Sequence, residues 1–370
     1  MVHGGDFYGN AELVQRARDR RLLDFSVNTN PLGSPDAVKA ALAASVRGDF
    51  ERYPDPYCRA LRAAIAQFDG VPQEAILCGA GASDIIFRLC LAKKPRTVLL
   101  CAPTFSEYEK AASLAGARIV HYPMLEADDF RLTERFLDFF SSVEHDMLFL
   151  CNPNNPTSSL IEPDLLAAIV RRCQERNVFL VLDECFLPFT GRQSPLFSED
   201  GGKLGKLSKK IACVRAFTKT FSLAGLRIGY MVCPDEDLIA ACAASGPFWN
   251  VSVPAQAAAL AALQCSDWFE RSRALIETER AYLTSALREL GLKVFDSDAN
   301  FILFRTDNEQ NLAEKLLASG ILLRSCANFR NLDGRYYRIC VKTHECNERL
   351  IVGATAAFCL PCNKKTAENN

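Results

Sequence analysis

The 370-residue sequence predicts an α/β fold: a mostly parallel sheet covered on both faces by helices, followed by a smaller α+β unit. Three observations lead there. Short apolar runs such as "TVLLCAP", "DMLFLC" and "VFLVLD" read as strands buried on both faces. Amphipathic stretches of helical period separate them, the pattern of strand–helix–strand units. Beyond Tyr230 the alternation stops and the chain turns mainly helical to about residue 290.

Taken in order, residues 1 to about 40 are rich in turn formers and are expected as an arm packed on the smaller unit. "CGAGASD" at 78–84 is a glycine-bearing turn that opens the helical run "DIIFRLCLA". Residues 97–103 are a buried strand, 106–117 the helix after it, and "ARIVHYPM" the next strand. Residues 146–157 form an apolar strand ending in the polar turn "NPNNPT". Residues 162–177 are an amphipathic helix with Pro163 in its first turn, where a missing N–H costs nothing. "VFLVLDECF" at 178–186 is again a buried strand. Two strand-like runs, "LKVFDSDANFILFRT" and "YYRICVKT", lie around a helix at 308–319 and make the α+β unit. The resulting division is an N-terminal arm at 1–40, a large domain at 41–250, a small domain at 251–362 and a disordered tail at 363–370.

The composition excludes several function classes. Lys plus Arg is 43 and Asp plus Glu is 44, so neither a nucleic-acid nor a membrane-surface partner is indicated, and anion recognition must be local. No apolar run reaches the ~20 residues that span a bilayer. The 16 cysteines sit in apolar runs, where a thiol acts as a small hydrophobe, and "MVHGGDFYGN" does not read as a signal peptide. A reducing, cytoplasmic location follows as the expectation. Cys359 and Cys362 form a lone C-x-x-C, too little to predict a metal, and none is expected.

The chemistry gathers at strand ends, where parallel sheets bind ligands. Asp183 and Glu184 close one strand, "NPNNPT" follows another, and "CGAGASD" offers backbone N–H groups at a helix start. In "VRAFTKTFSLAGLRIGY" a lone amine, Lys219, has Thr218 before it and Arg227 after it. An amine, a carboxylate, an asparagine and an anion cradle meet the needs of pyridoxal phosphate. Its aldehyde needs a lysine, its pyridine nitrogen a carboxylate that keeps it protonated, its ring hydroxyl a donor, and its phosphate N–H groups, hydroxyls and an arginine.

The set "NPNNPT", "LDECF" and "FTKTFSLAGLRIGY" resembles the fold-type I pyridoxal-phosphate enzymes of the class I/II aminotransferase superfamily. That resemblance implies a large domain built on a mostly parallel seven-stranded sheet, plus a smaller α+β domain. It implies Lys219 as the lysine that holds the cofactor's aldehyde, Asp183 as the pyridinium partner and Asn155 as donor to the ring hydroxyl. Phe105 would stack on the ring, and Ala82, Ser83, Thr218 and Arg227 would hold the phosphate. Tyr53 would reach the partner's cofactor across a homodimer interface. Two positions depart from the family pattern. Ala216 stands where a hydroxyl residue is usual, and Phe186 stands where aminotransferases carry a tyrosine, which argues against simple transamination.

Outside the cofactor core, "HGG", "LDFSVNTNPLG", "ERYPDP" and "ILLRSCANFRNLDGRYYRICVKTHECNERL" are similar to the threonine-phosphate decarboxylases of cobalamin biosynthesis, near relatives of the histidinol-phosphate aminotransferases. The implied substrate is a small amino acid phosphate, L-threonine O-3-phosphate, or L-serine O-phosphate, which lacks one methyl. Arg338 would take its carboxylate, and Arg324 and His3 its phosphate, with Asn30 as a further contact. The Cα bond that stands perpendicular to the pyridine plane is the one that breaks, so the anion partners choose between loss of CO2 and transamination. The alternatives that stay open are an aminotransferase acting on histidinol phosphate or another amino acid, and a non-catalytic binding protein.

Overall fold

A computed structural model describes residues 3–19, 21–194, 209–307 and 311–359. The expected tail at 363–370 and Cys362 lie outside them. Strand β1 (Leu23–Asp24) belongs to the N-terminal arm. Seven strands follow: β2 (Ile76–Gly79), β3 (Thr97–Ala102), β4 (Arg118–Pro123), β5 (Met147–Cys151), β6 (Phe179–Asp183), β7 (Ile211–Ala216) and β8 (Gly229–Val232). They form one sheet in the order β2-β8-β7-β6-β5-β3-β4. From β7 to β4 every pairing is parallel, whereas β8 runs antiparallel to both its neighbours. The sheet is therefore seven-stranded and mostly parallel, as expected.

Alternate residues of the central strands feed two cores, which is why these strands read as unbroken apolar runs. Leu99, Leu148, Leu150, Leu180 and Leu182 face the helices Arg135–Ser142 and Pro163–Glu175, where Phe136, Phe140, Leu166 and Ile169 meet them. Val98, Leu100, Phe149, Val181 and Val214 face the helices Ala82–Lys93, Ser106–Leu114 and Glu236–Ala244. At about 1.5–3 kcal/mol per fully buried side chain, these two layers hold the sheet rigid. The helix expected to reach residue 117 stops at Leu114, because Gly116 takes a left-handed φ of +86°.

The remaining strands are β9 (Lys293–Val294), β10 (Phe301–Arg305), β11 (Ile321–Leu322), β12 (Arg324–Ser325) and β13 (Tyr336–Cys340). An antiparallel sheet runs β12-β13-β10-β9, and β1 pairs in parallel with β11. The helix expected at 308–319 is seen from Leu312 to Ala318, with 308–310 outside the described residues. Because β3, β5, β6 and β7 are parallel, their carboxyl ends share one edge of the large sheet. Antiparallel β8 begins at that edge, so Gly79, Gly229 and Ala216 lie side by side there.

Candidate active site

A cavity of about 360 Å³ opens at this edge, lined by side chains from both larger sheets and from the N-terminal arm. Lys219 stands on the single helical turn Phe217–Thr220 that follows β7. Burial pulls its amine down to about 8, and the positive charge of Arg338 adds to the effect. Asn30 holds the turn in place. Its backbone N–H donates to the Lys219 carbonyl at 3.0 Å, and its amide Nδ2 donates to the Thr220 carbonyl at 2.7 Å and the Ser272 hydroxyl at 2.6 Å. Asn30, expected as a substrate contact, thus spends its amide on the scaffold.

Asp183, the last residue of β6, points into the cavity while Glu184 points the other way, as alternation along a strand requires. Tyr108 donates its hydroxyl to Asp183 Oδ2 at 2.6 Å, and the Cys185 N–H donates to Oδ1 at 3.0 Å. Burial raises the Asp183 carboxyl above the ordinary carboxylate range, and these two donors pull it partly back. Glu184 is fully buried instead against Arg215 at 2.9 Å, with Ser194 donating to it at 2.6 Å.

An anion cradle lies beside Lys219. Gly81 caps the helix Ala82–Lys93 at φ +91°, and a Cβ there would meet the Arg227 guanidinium at 2.6 Å, so glycine lets that cation close on the helix start. Ala82, Ser83, Thr218 and Arg227 all line the cavity at this point, and the helix presents its unpaired N–H groups there. Phe105, directly before the helix Ser106–Leu114, forms a wall edge-on to Tyr108, with ring centroids 5.5 Å apart.

The opposite wall is cationic. Arg324 on β12 and Arg338 on β13 are Cα partners across the strand pair, both buried and both lining the cavity. Arg338 donates to Asn155 Oδ1 and, at 2.7 Å, to the Ser26 carbonyl, while its Nε has no partner among the described residues. With Oδ1 engaged, Asn155 keeps its NH2 group as the side chain's donor. Burial lowers the Arg338 guanidinium to about 10. Arg324 donates to Asn328 at 2.7 Å and packs over the Phe329 ring. Asn28 also lines the cavity, 2% exposed, with neither amide atom partnered among the described residues. The sequence contains no signal that separates Asn28 from Asn30. Tyr108 could have been found, since it lies one helical turn after the expected ring-stacking Phe105.

The two departures have a common setting. Phe186 and Ala216 pack in one apolar cluster with Phe189, Ile276 and Phe301, and Phe186 meets Phe301 edge-on at 4.8 Å. The Lys219 amine is 6.0 Å from the Phe186 ring centroid, so this side of the lysine is hydrocarbon. Tyr53 lies outside its own chain's cavity, 79% exposed and packed against Trp249 at 4.5 Å. His3 lines the cavity mouth, where its Nε2 is 3.1 Å from Glu107.

An amine at about 8, a buried carboxylate, an asparagine NH2 and a helix start closed by arginine suit the aldehyde, pyridine nitrogen, ring hydroxyl and phosphate of pyridoxal phosphate. Comparison with known proteins agrees. The chain is 37% identical over 352 residues to the threonine-phosphate decarboxylase of Salmonella typhimurium, covering 95% of this chain and 94% of the relative. The histidinol-phosphate aminotransferase of Clostridium acetobutylicum superposes with a TM-score of 0.81 at 29% identity, covering 91% of this chain and 99% of that one. The L-threonine-O-3-phosphate decarboxylase of Porphyromonas gingivalis, at 24% identity, shares the fold with a TM-score of 0.79 over 91% of this chain and 99% of its own. The family profile "Aminotransferase class I and II" matches residues 20–353. The chain therefore belongs to the class I and II aminotransferase family, whose enzymes work with pyridoxal phosphate.

Proposed function

We propose that this enzyme decarboxylates L-threonine O-3-phosphate to (R)-1-amino-2-propanol O-2-phosphate, the linker of the cobamide nucleotide loop, with L-serine O-phosphate as the one-methyl-smaller variant. One observation carries the reading: Arg324 and Arg338 are buried side by side on paired strands. Like charges directly opposite each other on a sheet are destabilising, so the arrangement calls for anions between and beside them. A substrate with a carboxylate and a phosphate supplies both. The similarity to the Salmonella decarboxylase supports the same substrate.

The bound cofactor supplies an electron sink for the bond that breaks at Cα. The residues do the rest. Arg338 takes the carboxylate through its unpartnered Nε, and Arg324 and Asn28 take the phosphate. Asp183 would face the pyridine nitrogen, and Tyr108 fixes the carboxyl group's rotation. Thr218, Ser83 and Arg227 would hold the cofactor's phosphate, and Phe105 would cover its ring. As the Cα–carboxylate bond breaks and CO2 leaves, Cα needs one proton, and the Lys219 amine, poised at about 8, delivers it.

The second reading is transamination of histidinol phosphate, suggested by the likeness to the Clostridium aminotransferase. Phe186 favours decarboxylation, because it leaves no hydroxyl in the family's tyrosine position beside Lys219. The test is to incubate the holoenzyme with O-phospho-L-threonine and, separately, O-phospho-L-serine, measuring CO2 and keto acid. Release of CO2 is expected; keto acid formed only with a 2-oxoacid acceptor, and no CO2, overturns the proposal. We also infer a homodimer. Phe50, Tyr53, Tyr57, Phe248 and Trp249 are all exposed, and Tyr53 and Trp249 pack together in a surface patch that a second copy would cover. Sedimentation of a Trp249→Glu variant as a monomer is expected, and a dimer unaffected by it would remove this patch from the interface.

A further inference from the structure

Glu107 lines the same cavity as Arg324 and Arg338, with a side chain only 13% exposed. A carboxylate there repels the ligand unless its charge is taken up. Lys110 lies 3.9 Å from one carboxylate oxygen, and His3 Nε2 meets the other at 3.1 Å. His3 arrives on an arm whose seat is narrow. Gly4 lies so close to the Ser26 backbone that a Cβ would sit 2.1 Å from its carbonyl oxygen. The Gly5 N–H donates to Ser26 Oγ at 2.7 Å, and the same Ser26 carbonyl accepts from Arg338.

We propose that Glu107 is a positioning residue: its carboxylate fixes the His3 imidazole over the cavity mouth and so closes the N-terminal arm over the substrate's phosphate. With Nε2 engaged by Glu107, Nδ1 is the ring nitrogen left to face the ligand. The clasp also reaches the carboxylate end of the substrate, since Ser26 ties the arm to Arg338. The word phosphate rests on the decarboxylase reading; the clasp itself does not.

The test compares holoenzymes of the wild type, Glu107→Gln, His3→Ala, the double variant and Gly4→Ala. Hydrogen exchange of the amides of residues 4–10 reads the clasp without any substrate. About tenfold faster exchange is expected in Glu107→Gln and His3→Ala, but not in Glu109→Gln, whose carboxylate pairs with His121 and Arg330 instead. Turnover of O-phospho-L-threonine reads the consequence. KM rises about tenfold with kcat within about threefold in each single variant, Gly4→Ala included, and the double variant costs no more than either alone. Unchanged exchange in Glu107→Gln, or additive KM effects, overturns the proposal. A wild type that does not turn over this substrate sinks the substrate reading, and the exchange data still decide the clasp.

Discussion

Replacing Lys219 by methionine is expected to stabilise the cofactor-free protein while destroying its function. The lysine stem is kept and the ammonium is lost. A drop of the amine from the ordinary 10.5 to about 8, at about 1.4 kcal/mol per pKa unit, is a cost to folding of about 3.4 kcal/mol. Lys219 is partly open to the cavity, so water screens a share of this, leaving about 2 kcal/mol. The sign follows from linkage. The unfolded chain binds the proton more tightly than the folded one, so the cost is fully present below about pH 8, fades as pH rises, and is gone above the unfolded 10.5. Urea denaturation of both cofactor-free proteins at one protomer concentration, at pH 7 and pH 10, measures it. The variant should gain about 2 kcal/mol at pH 7 and well under 1 kcal/mol at pH 10. No gain at pH 7, or an equal gain at both, refutes the claim that a strained ammonium sits at the cavity floor. The same variant should lack the visible absorption band of lysine-bound cofactor.

Asn28→Ala should leave the free protein as stable as the wild type or stabler by up to about 1 kcal/mol, because no partner is lost, while KM for the phosphorylated substrate rises at least tenfold. Tyr108→Phe removes the 2.6 Å donor to Asp183; a stability loss of about 1–2 kcal/mol by denaturation and roughly tenfold lower kcat are expected. Arg338→Gln removes a like charge from the neighbourhood of Lys219, so the pH midpoint for capture of pyridoxal phosphate by the cofactor-free protein should move upward. Asn30→Ala loses two buried donors, and about 2–3 kcal/mol in thermal or urea unfolding, with cofactor retention suffering more than KM.

The residues expected at strand ends were legible for a simple reason. Asp183, Asn155 and Lys219 each follow an apolar run that can only be a buried strand, and in a parallel sheet those ends converge. The cofactor machinery is thus encoded locally, segment by segment. Asn28 and Asn30 show the limit. They are two residues apart, yet Asn28 lines the cavity while Asn30 holds the Thr220 carbonyl.

By itself, the amino-acid order determined the fold class and the cofactor and singled out Lys219 as the proposed anchor, because strand periodicity and motif chemistry are properties of short segments. Tertiary structure decided what meets what. Arg324 opposite Arg338 depends on the register of β12 on β13, His3 against Glu107 joins residues 104 apart, and Tyr108 reaches Asp183 from a different element. Each of these is a contact between surfaces that become neighbours only once the sheets are packed.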